Sequence, residues 1–332
     1  MRGLFKSLIS SGRRFLNATG KTDGRDLRVS HLIPLYRSER FLAIIEENVR
    51  ELAGRDVEII LADRNGDHAF CYRLQERLSD VANLRVICDA SNMNWVENIA
   101  DLITLARGQY LQILPHDDST TKEATRRLCA ALDQQPDAVL ACGQVRAFDL
   151  DGNRLEDRDE LNAEENPDAR SWTLDDVLRL VWQGRFNGAF KGVIRRQVAQ
   201  DARCRFKATP GTILSERVWL FSLGLAGRLA FVPVDALAKR YYPESTHRQW
   251  EFGSQAYLDA TELMVEAVKA RFGESALANY AVTDVLENGG RFAESVGSKG
   301  PVRFEYLAAG GPDAEASRAT DLRWSGVDQY AA

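Results

Sequence analysis

The chain has 332 residues, 45% of them hydrophobic and 27% charged, with a formal net charge of -5 and a sequence pI of about 5.6. This is ordinary globular composition, long enough for one large core or two lobes, and its acidic balance argues against a general DNA or RNA binder. No run of about 18 apolar residues occurs, so no membrane-spanning helix is expected, and the cysteines (Cys71, Cys88, Cys129, Cys142, Cys204) lack a C-x-x-C pair and read as buried thiols of a reducing cytoplasm.

Residues 1–26 form a basic leader in which Leu4, Phe5, Leu8, Ile9, Phe15 and Leu16 alternate with Arg2, Lys6, Arg13 and Arg14. The apolar run is too short and interrupted for a secretory signal. Two readings stay open: an amphipathic helix lying against a membrane surface, or a leader that frays or packs on the domain.

Strand and helix signals then alternate. Arg28 to Pro34 reads as a strand closed by proline, and Ser38 to Leu52 as a helix with Ser38 as its N-cap. Asp56 to Ala62 reads as a buried strand ended by the turn Asp63-Arg64-Asn65-Gly66-Asp67. A helix over Phe70 to Leu78, a strand over Leu84 to Cys88 and a helix over Trp95 to Ala106 follow. Tyr110 to Leu114 and Ala138 to Phe148 are further strands, with a helix from Thr120 to Leu132 between them. Such alternation predicts an α/β fold with a mainly parallel sheet covered on both faces. Ligands of such sheets sit beyond the carboxyl ends of the strands, so the turns at Tyr36, Asp63 and Asp117 belong on one rim.

After Asp149 the pattern changes. Asp149 to Arg170 is rich in carboxylates and reads as a loop or flap, with a hairpin turn at Asp151-Gly152-Asn153. Helices are predicted over Leu174 to Trp182 and Leu214 to Leu225, and strands over Ala189 to Ile194 and Arg228 to Pro233. The stretch 248–332 holds helical signals, such as Tyr257 to Phe272, and then becomes rich in glycine and alanine. The domain expectation is therefore a leader 1–26, a domain 27–247 split into halves 27–148 and 149–247, and a mostly helical C-terminal extension 248–332.

The feature richest in chemistry is His116-Asp117-Asp118, at a predicted strand end and before a helix. Adjacent carboxylates there suit a hard cation such as Mg²⁺ or Mn²⁺, which takes oxygen ligands from one or two carboxylates plus substrate phosphates. A helix N-terminus that favours negative charge would explain the same pair.

Four segments in order carry a family resemblance. They are Val29-Ser30-His31-Leu32-Ile33-Pro34-Leu35-Tyr36, Glu58-Ile59-Ile60-Leu61-Ala62-Asp63, Asn92-Met93-Asn94-Trp95-Val96-Glu97-Asn98, and Ala106 to Asp118. Together they resemble the inverting family 2 glycosyltransferases of the GT-A fold, with H-D-D as a variant of the family's acidic motif. The resemblance implies that Pro34, Leu35 and Tyr36 line the base pocket and that Asp63 accepts a bond from the base, although Asp63 also reads as a turn residue bonding its own backbone. It further implies that Asn94 and Asp117 belong to the nucleotide-sugar site and that Asp118 ligates the metal.

Downstream, Glu216 falls where the family has its general base, while the first turn of an apolar helix also favours a negative charge. Asn187 and Gly188 resemble the acceptor side, and a plain turn explains them as well. Arg240, in Lys239-Arg240-Tyr241-Tyr242, would steady the diphosphate, with Tyr242 where relatives carry histidine. Other departures are Ala62 for the family's first base-pocket aspartate, Arg64-Asn65 for its small residues, Arg37 for the asparagine after Tyr36, and Pro115 for the leading acid of D-x-D-D.

The resemblance implies a cytoplasmic, Mg²⁺- or Mn²⁺-dependent enzyme that moves a sugar from a nucleotide-sugar, UDP-sugar by default, to a glycan or lipid-linked acceptor in cell-surface polysaccharide or lipopolysaccharide assembly. The leader would supply peripheral contact with the inner face of the membrane. The departures motivate a second hypothesis, a catalytically silent domain that binds nucleotide-sugar or glycan or acts as a scaffold. A nucleotidyltransferase is disfavoured because no glycine-rich phosphate loop follows the first strand.

Overall fold

The computed structural model describes residues 14–18, 27–161, 187–244 and 254–272. The chain divides into two compact units, 1–119 and 120–332.

The first unit is a five-stranded sheet in the order β1-β4-β3-β2-β5. Its strands are β1 (Arg14–Ala18), β2 (Val29–Leu35), β3 (Val57–Asp63), β4 (Leu84–Cys88) and β5 (Tyr110–Ile113). β2 to β5 are mutually parallel, and β1 runs antiparallel along β4. Every residue of β3 is buried, as expected of a strand covered on both faces. Helices α1 (Leu42–Leu52), α2 (His68–Arg77) and α3 (Trp95–Leu105) link the strands. α1 buries Ile45, Val49 and Leu52 at helical spacing. α3 starts on a full capping box between Asn94 and Glu97.

Much of the family motif is scaffold. Near the amino ends of β2 and β3, the Ser30 hydroxyl donates to buried Glu58 at 2.6 Å, and the Gly108 amide donates to Ser30 Oγ at 2.9 Å. Arg85 and Arg107 close on the same carboxylate, and Arg107 N–H donates to it at 2.9 Å. Burial alone would raise the Glu58 pKa; the bond from Ser30 and the bonds and charges of Arg107 and Arg85 outweigh it and hold the group below its usual range.

The second unit contains α4 (Lys122–Gln134), β6 (Ala138–Phe148), β7 (Val193–Arg195), α5 (Arg196–Ala199), α6 (Ser215–Ala226), β8 (Arg228–Arg240) and α7 (Gln255–Phe272). β6 lies between β7, antiparallel, and β8, parallel. Two expectations need correction. β8 does not stop at Pro233 but runs to Arg240, because the register slips opposite Gly143 and absorbs the proline in a bulge. A Cβ on Gly143 would stand 2.6 Å from the Val234 carbonyl oxygen, so the crossing demands glycine. The predicted strand Ala189 to Ile194 is a 3₁₀ turn over Asn187–Lys191 followed by the short β7.

Ser38 does not cap α1. A 3₁₀ turn over Glu39–Phe41 intervenes, and the Ser38 hydroxyl is engaged elsewhere. The part of the leader that is described, Arg14–Ala18, is a strand rather than a helix. All five cysteines are buried, and none is in a disulfide. Among the described residues no helix is long and apolar enough to cross a membrane. The predicted helix Leu174 to Trp182 and the stretch 273–332 lie outside the described residues.

Candidate active site

In the first unit the parallel register brings the carboxyl ends of the strands into one row: Leu35 stands opposite Asp63, and Asp63 opposite Cys88. Tyr36 follows β2 and is 53% exposed, with the Arg37 guanidinium 5.2 Å from the centre of its ring. Pro34 is half-buried beside it, whereas Leu35 is 1% exposed. Leu35 is therefore a core residue at the end of β2. Asp63 is buried, and its Oδ1 accepts the amides of Asn65 at 3.0 Å and Asp67 at 3.1 Å. The turn reading of Asp63 thus describes that oxygen.

Arg64, which stands where the family has a small residue, is fully buried. Its guanidinium pairs with Asp89 and Asp101, and its Nε donates to Asn98 Oδ1 at 3.2 Å. Asn98 in turn donates to the Ala62 carbonyl at 3.0 Å, and the Arg64 carbonyl accepts the Asn92 amide at 2.8 Å. Burial pushes the Asp89 pKa up, but the hydroxyl of Ser91 and the charge of Arg64 prevail and leave it lowered. Asn94 spends its Oδ1 on the amides of Val96 and Glu97, both at 3.0 Å. Its side-chain oxygen caps α3, and only its Nδ2 remains for a donor.

The acidic turn follows β5. The Asp118 amide donates to the Pro115 carbonyl at 3.1 Å, and Asn48 Nδ2 donates to the Asp118 carbonyl at 2.7 Å. The Asp118 residue is 1% exposed, while Asp117 is half-buried and more accessible. His116 lies flat on Phe41, with centroids 4.9 Å apart and 23° between the ring planes. Burial pushes its pKa below the usual imidazole range; Asp117 pulls it back and Arg40 adds to the lowering. Among the described residues no three His, Cys, Asp or Glu side chains cluster as a metal cage. Asp117 and Asp118 are the carboxylates of this turn, the oxygen-ligand type that a hard cation takes from protein when phosphates and water supply the rest.

In the second unit, Glu216 lies in the first turn of α6, which follows a loop with unusual backbone. Thr212 and Leu214 adopt φ of 64° and 62°, the left-handed region that branched side chains avoid, and Gly211 adopts 67°. Such strain concentrates at functional sites. Ser215 braces the loop, its hydroxyl accepting the Thr209 amide at 3.0 Å and donating to the Thr212 carbonyl at 3.0 Å. Burial raises the Glu216 pKa; its own amide and the charges of Arg217, Lys239 and Lys191 oppose this without cancelling it.

A further cluster lies at the end of β8. Lys239 Nζ donates to Glu160 Oε1 at 2.5 Å, and the Tyr241 hydroxyl donates to the same oxygen at 3.1 Å. Burial, then Glu160, push the Tyr241 pKa up to about 12. A Cβ on Gly188 would stand 2.7 Å from Glu160 Oε2, so glycine is what lets this carboxylate approach the 187–191 turn. Arg240, half-buried, pairs with Phe148 in the β6–β8 register. Of the Asn187 side chain nothing is described. Sequence reasoning passed over Glu160 as one acid in the stretch Asp149 to Arg170, and Arg64 as a mere departure. Neither position has a periodic signal; the φ values before Glu216 were equally invisible.

The sequence model of the family described as "Glycosyl transferase family 2" matches residues 30–202. Among solved structures, S. aureus TarS 1-349 superposes with a TM-score of 0.60 at 13% identity, covering 83% of this chain and 75% of that one. Its complex with UDP-GlcNAc gives 0.59 at 12% identity, covering 82% and 75%. At such identity the likeness establishes the fold alone. No curated protein sequence matches significantly.

Proposed function

The chain belongs to glycosyl transferase family 2, and from that premise we propose that it moves a sugar from a nucleotide-sugar to a hydroxyl of a glycan or lipid-linked acceptor, with inversion at the anomeric carbon. The observation that best supports the donor half is the common rim in the first unit, where Tyr36, Asp63 and the acidic turn all follow the carboxyl ends of parallel strands.

In this reading the Tyr36 ring stacks on the base and Asp63 borders it. Asp118, with Asp117 beside it, holds Mg²⁺ or Mn²⁺. Bound there, the cation would offset the charge that collects on the departing nucleoside diphosphate. UDP is the first nucleotide to test, because S. aureus TarS, which is similar in fold, is solved in complex with UDP-GlcNAc.

Glu216 is the general base. Its carboxylate takes the proton of the acceptor hydroxyl as that oxygen attacks the anomeric carbon, and the bond to the diphosphate breaks on the opposite side. Its raised pKa makes the carboxylate a stronger base than an exposed one. Gly188 and Asn187 lie on the acceptor side, and Arg240 contacts the diphosphate. Cell-surface polysaccharide or lipopolysaccharide assembly at the cytoplasmic face of the membrane is the setting we assign.

The test is Glu216→Gln with a UDP-sugar donor. It is expected to keep donor affinity by calorimetry and to lose transfer by about 100-fold or more, the usual scale of general-base catalysis. Near-normal transfer would move the base elsewhere.

A further inference from the structure

His116 heads the acidic turn and would ordinarily be read as a third ligand for a cation. Its surroundings assign it another task. The Tyr36 amide donates to Ser38 Oγ at 2.9 Å and also approaches His116 Nδ1 at 3.4 Å, while Ser38 Oγ stands 2.7 Å from the same Nδ1. With the amide directed at both acceptors, the consistent pattern is a relay. The Tyr36 N–H donates to Ser38, the Ser38 hydroxyl donates to Nδ1, and Nδ1 carries the lone pair. That lone pair is thereby occupied.

Phe41, 3% exposed, fixes the imidazole plane from one side, and Ser38 is 2% exposed. The loop so held is not in a relaxed conformation, since Arg37 adopts a φ of 49° that a non-glycine residue keeps only when its surroundings impose it.

We propose that His116 is a positioning residue for the nucleobase: through Ser38 it clamps the loop that presents the exposed Tyr36 ring, and metal binding is left to the carboxylates that follow. The proposal rests on the donor-site reading given above. It makes the His-Asp-Asp triplet a hinge point between two functions: its first residue reaches back to the base loop after β2, and its last two serve the diphosphate. A nucleobase needs a rigid platform because stacking a ligand on a mobile ring costs the entropy of ordering it.

The variants are Ser38→Ala, His116→Ala and His116→Asn, the last keeping a side-chain acceptor. Each is titrated with UDP and with GDP, with and without Mn²⁺, and amide hydrogen exchange is followed over residues 35–38. Ser38→Ala and His116→Ala are expected to speed exchange at the Tyr36 amide and to weaken nucleotide binding about five-fold, the scale of one hydrogen bond. The loss should be equal with and without Mn²⁺, and His116→Asn should recover most of it.

Unchanged exchange at Tyr36 would overturn the proposal. So would a loss confined to the Mn²⁺ titrations, which would make His116 a ligand. If the wild type binds neither nucleotide, the donor reading fails, while the exchange experiment still decides the clamp. Ser38→Ala removes one oxygen atom and serves if His116→Ala does not fold.

Discussion

As the proposed general base, Glu216 would set stability against activity. A carboxylate whose folded pKa is raised holds its proton longer in the native state than in the unfolded chain, so it subtracts stability as pH rises past the unfolded value. Glu216→Gln should therefore melt higher than wild type at neutral pH, with the gain vanishing below about pH 4, where both states are protonated. A pH series of thermal melts checks this; a constant gain at all pH values would mean that ionisation is not its origin. Lys239 acts on the same group from the other direction. Removing its charge in Lys239→Met should raise the Glu216 pKa further and, with Glu216 as the proposed base, move the acid limb of the kcat/KM profile to higher pH, since a base works only when deprotonated. An unmoved limb would assign the limb to another group.

At the scale of elements, the loops after β3 and β4 are fastened together by Arg64. Its side chain is 1% exposed, and those of Asp89 and Asp101 are 8% and 10% exposed. Arg64→Met leaves both carboxylates buried without their counter-charge and should cost about 3–5 kcal/mol, measured by urea denaturation. A cost below about 1 kcal/mol would show the ion pairs to be solvent-compensated. The start of α3 offers a milder test. Asn94→Ala removes the acceptor of two amides and should cost about 1 kcal/mol, while Asn94→Asp keeps the cap. If Asn94→Asp raises the donor KM without loss of stability, the Asn94 amide nitrogen belongs to the donor site as well.

For the whole molecule, family membership makes nucleotide-sugar chemistry the expectation, and each unit can be interrogated by ligand. UDP with Mn²⁺ at 100 times its Kd should stabilise the protein by about 2.7 kcal/mol, and chelation should remove the metal-dependent part. Asp118→Ala should abolish the difference between Mn²⁺ and chelator. Asp117→Ala is the necessary comparison, because Asp117 is the more accessible carboxylate while Asp118 is 1% exposed. If only Asp117→Ala removes the difference, the ligand assignment reverses.

The sequence by itself determined the α/β alternation, the succession of strands and helices along the first unit and the family. These rest on local signals: apolar runs of strand length, helical spacing and turn residues at strand ends. The same local logic failed at Pro233, read as a strand end, because a bulge opposite Gly143 depends on a partner strand far away in the chain. It failed again at Ser38, whose hydroxyl has the composition of a cap but bonds His116, 78 positions on. Only the tertiary structure showed which motif residues are scaffold, such as Ser30, Glu58 and Gly108, and which stand at the rim. It also revealed the Arg64 and Glu160 clusters and the strained approach to Glu216. The reason is common to all of them. Hydrogen bonds, burial and charge pairing between residues distant in sequence leave no periodic trace, and they alone decide whether a polar side chain supports the fold or faces a substrate.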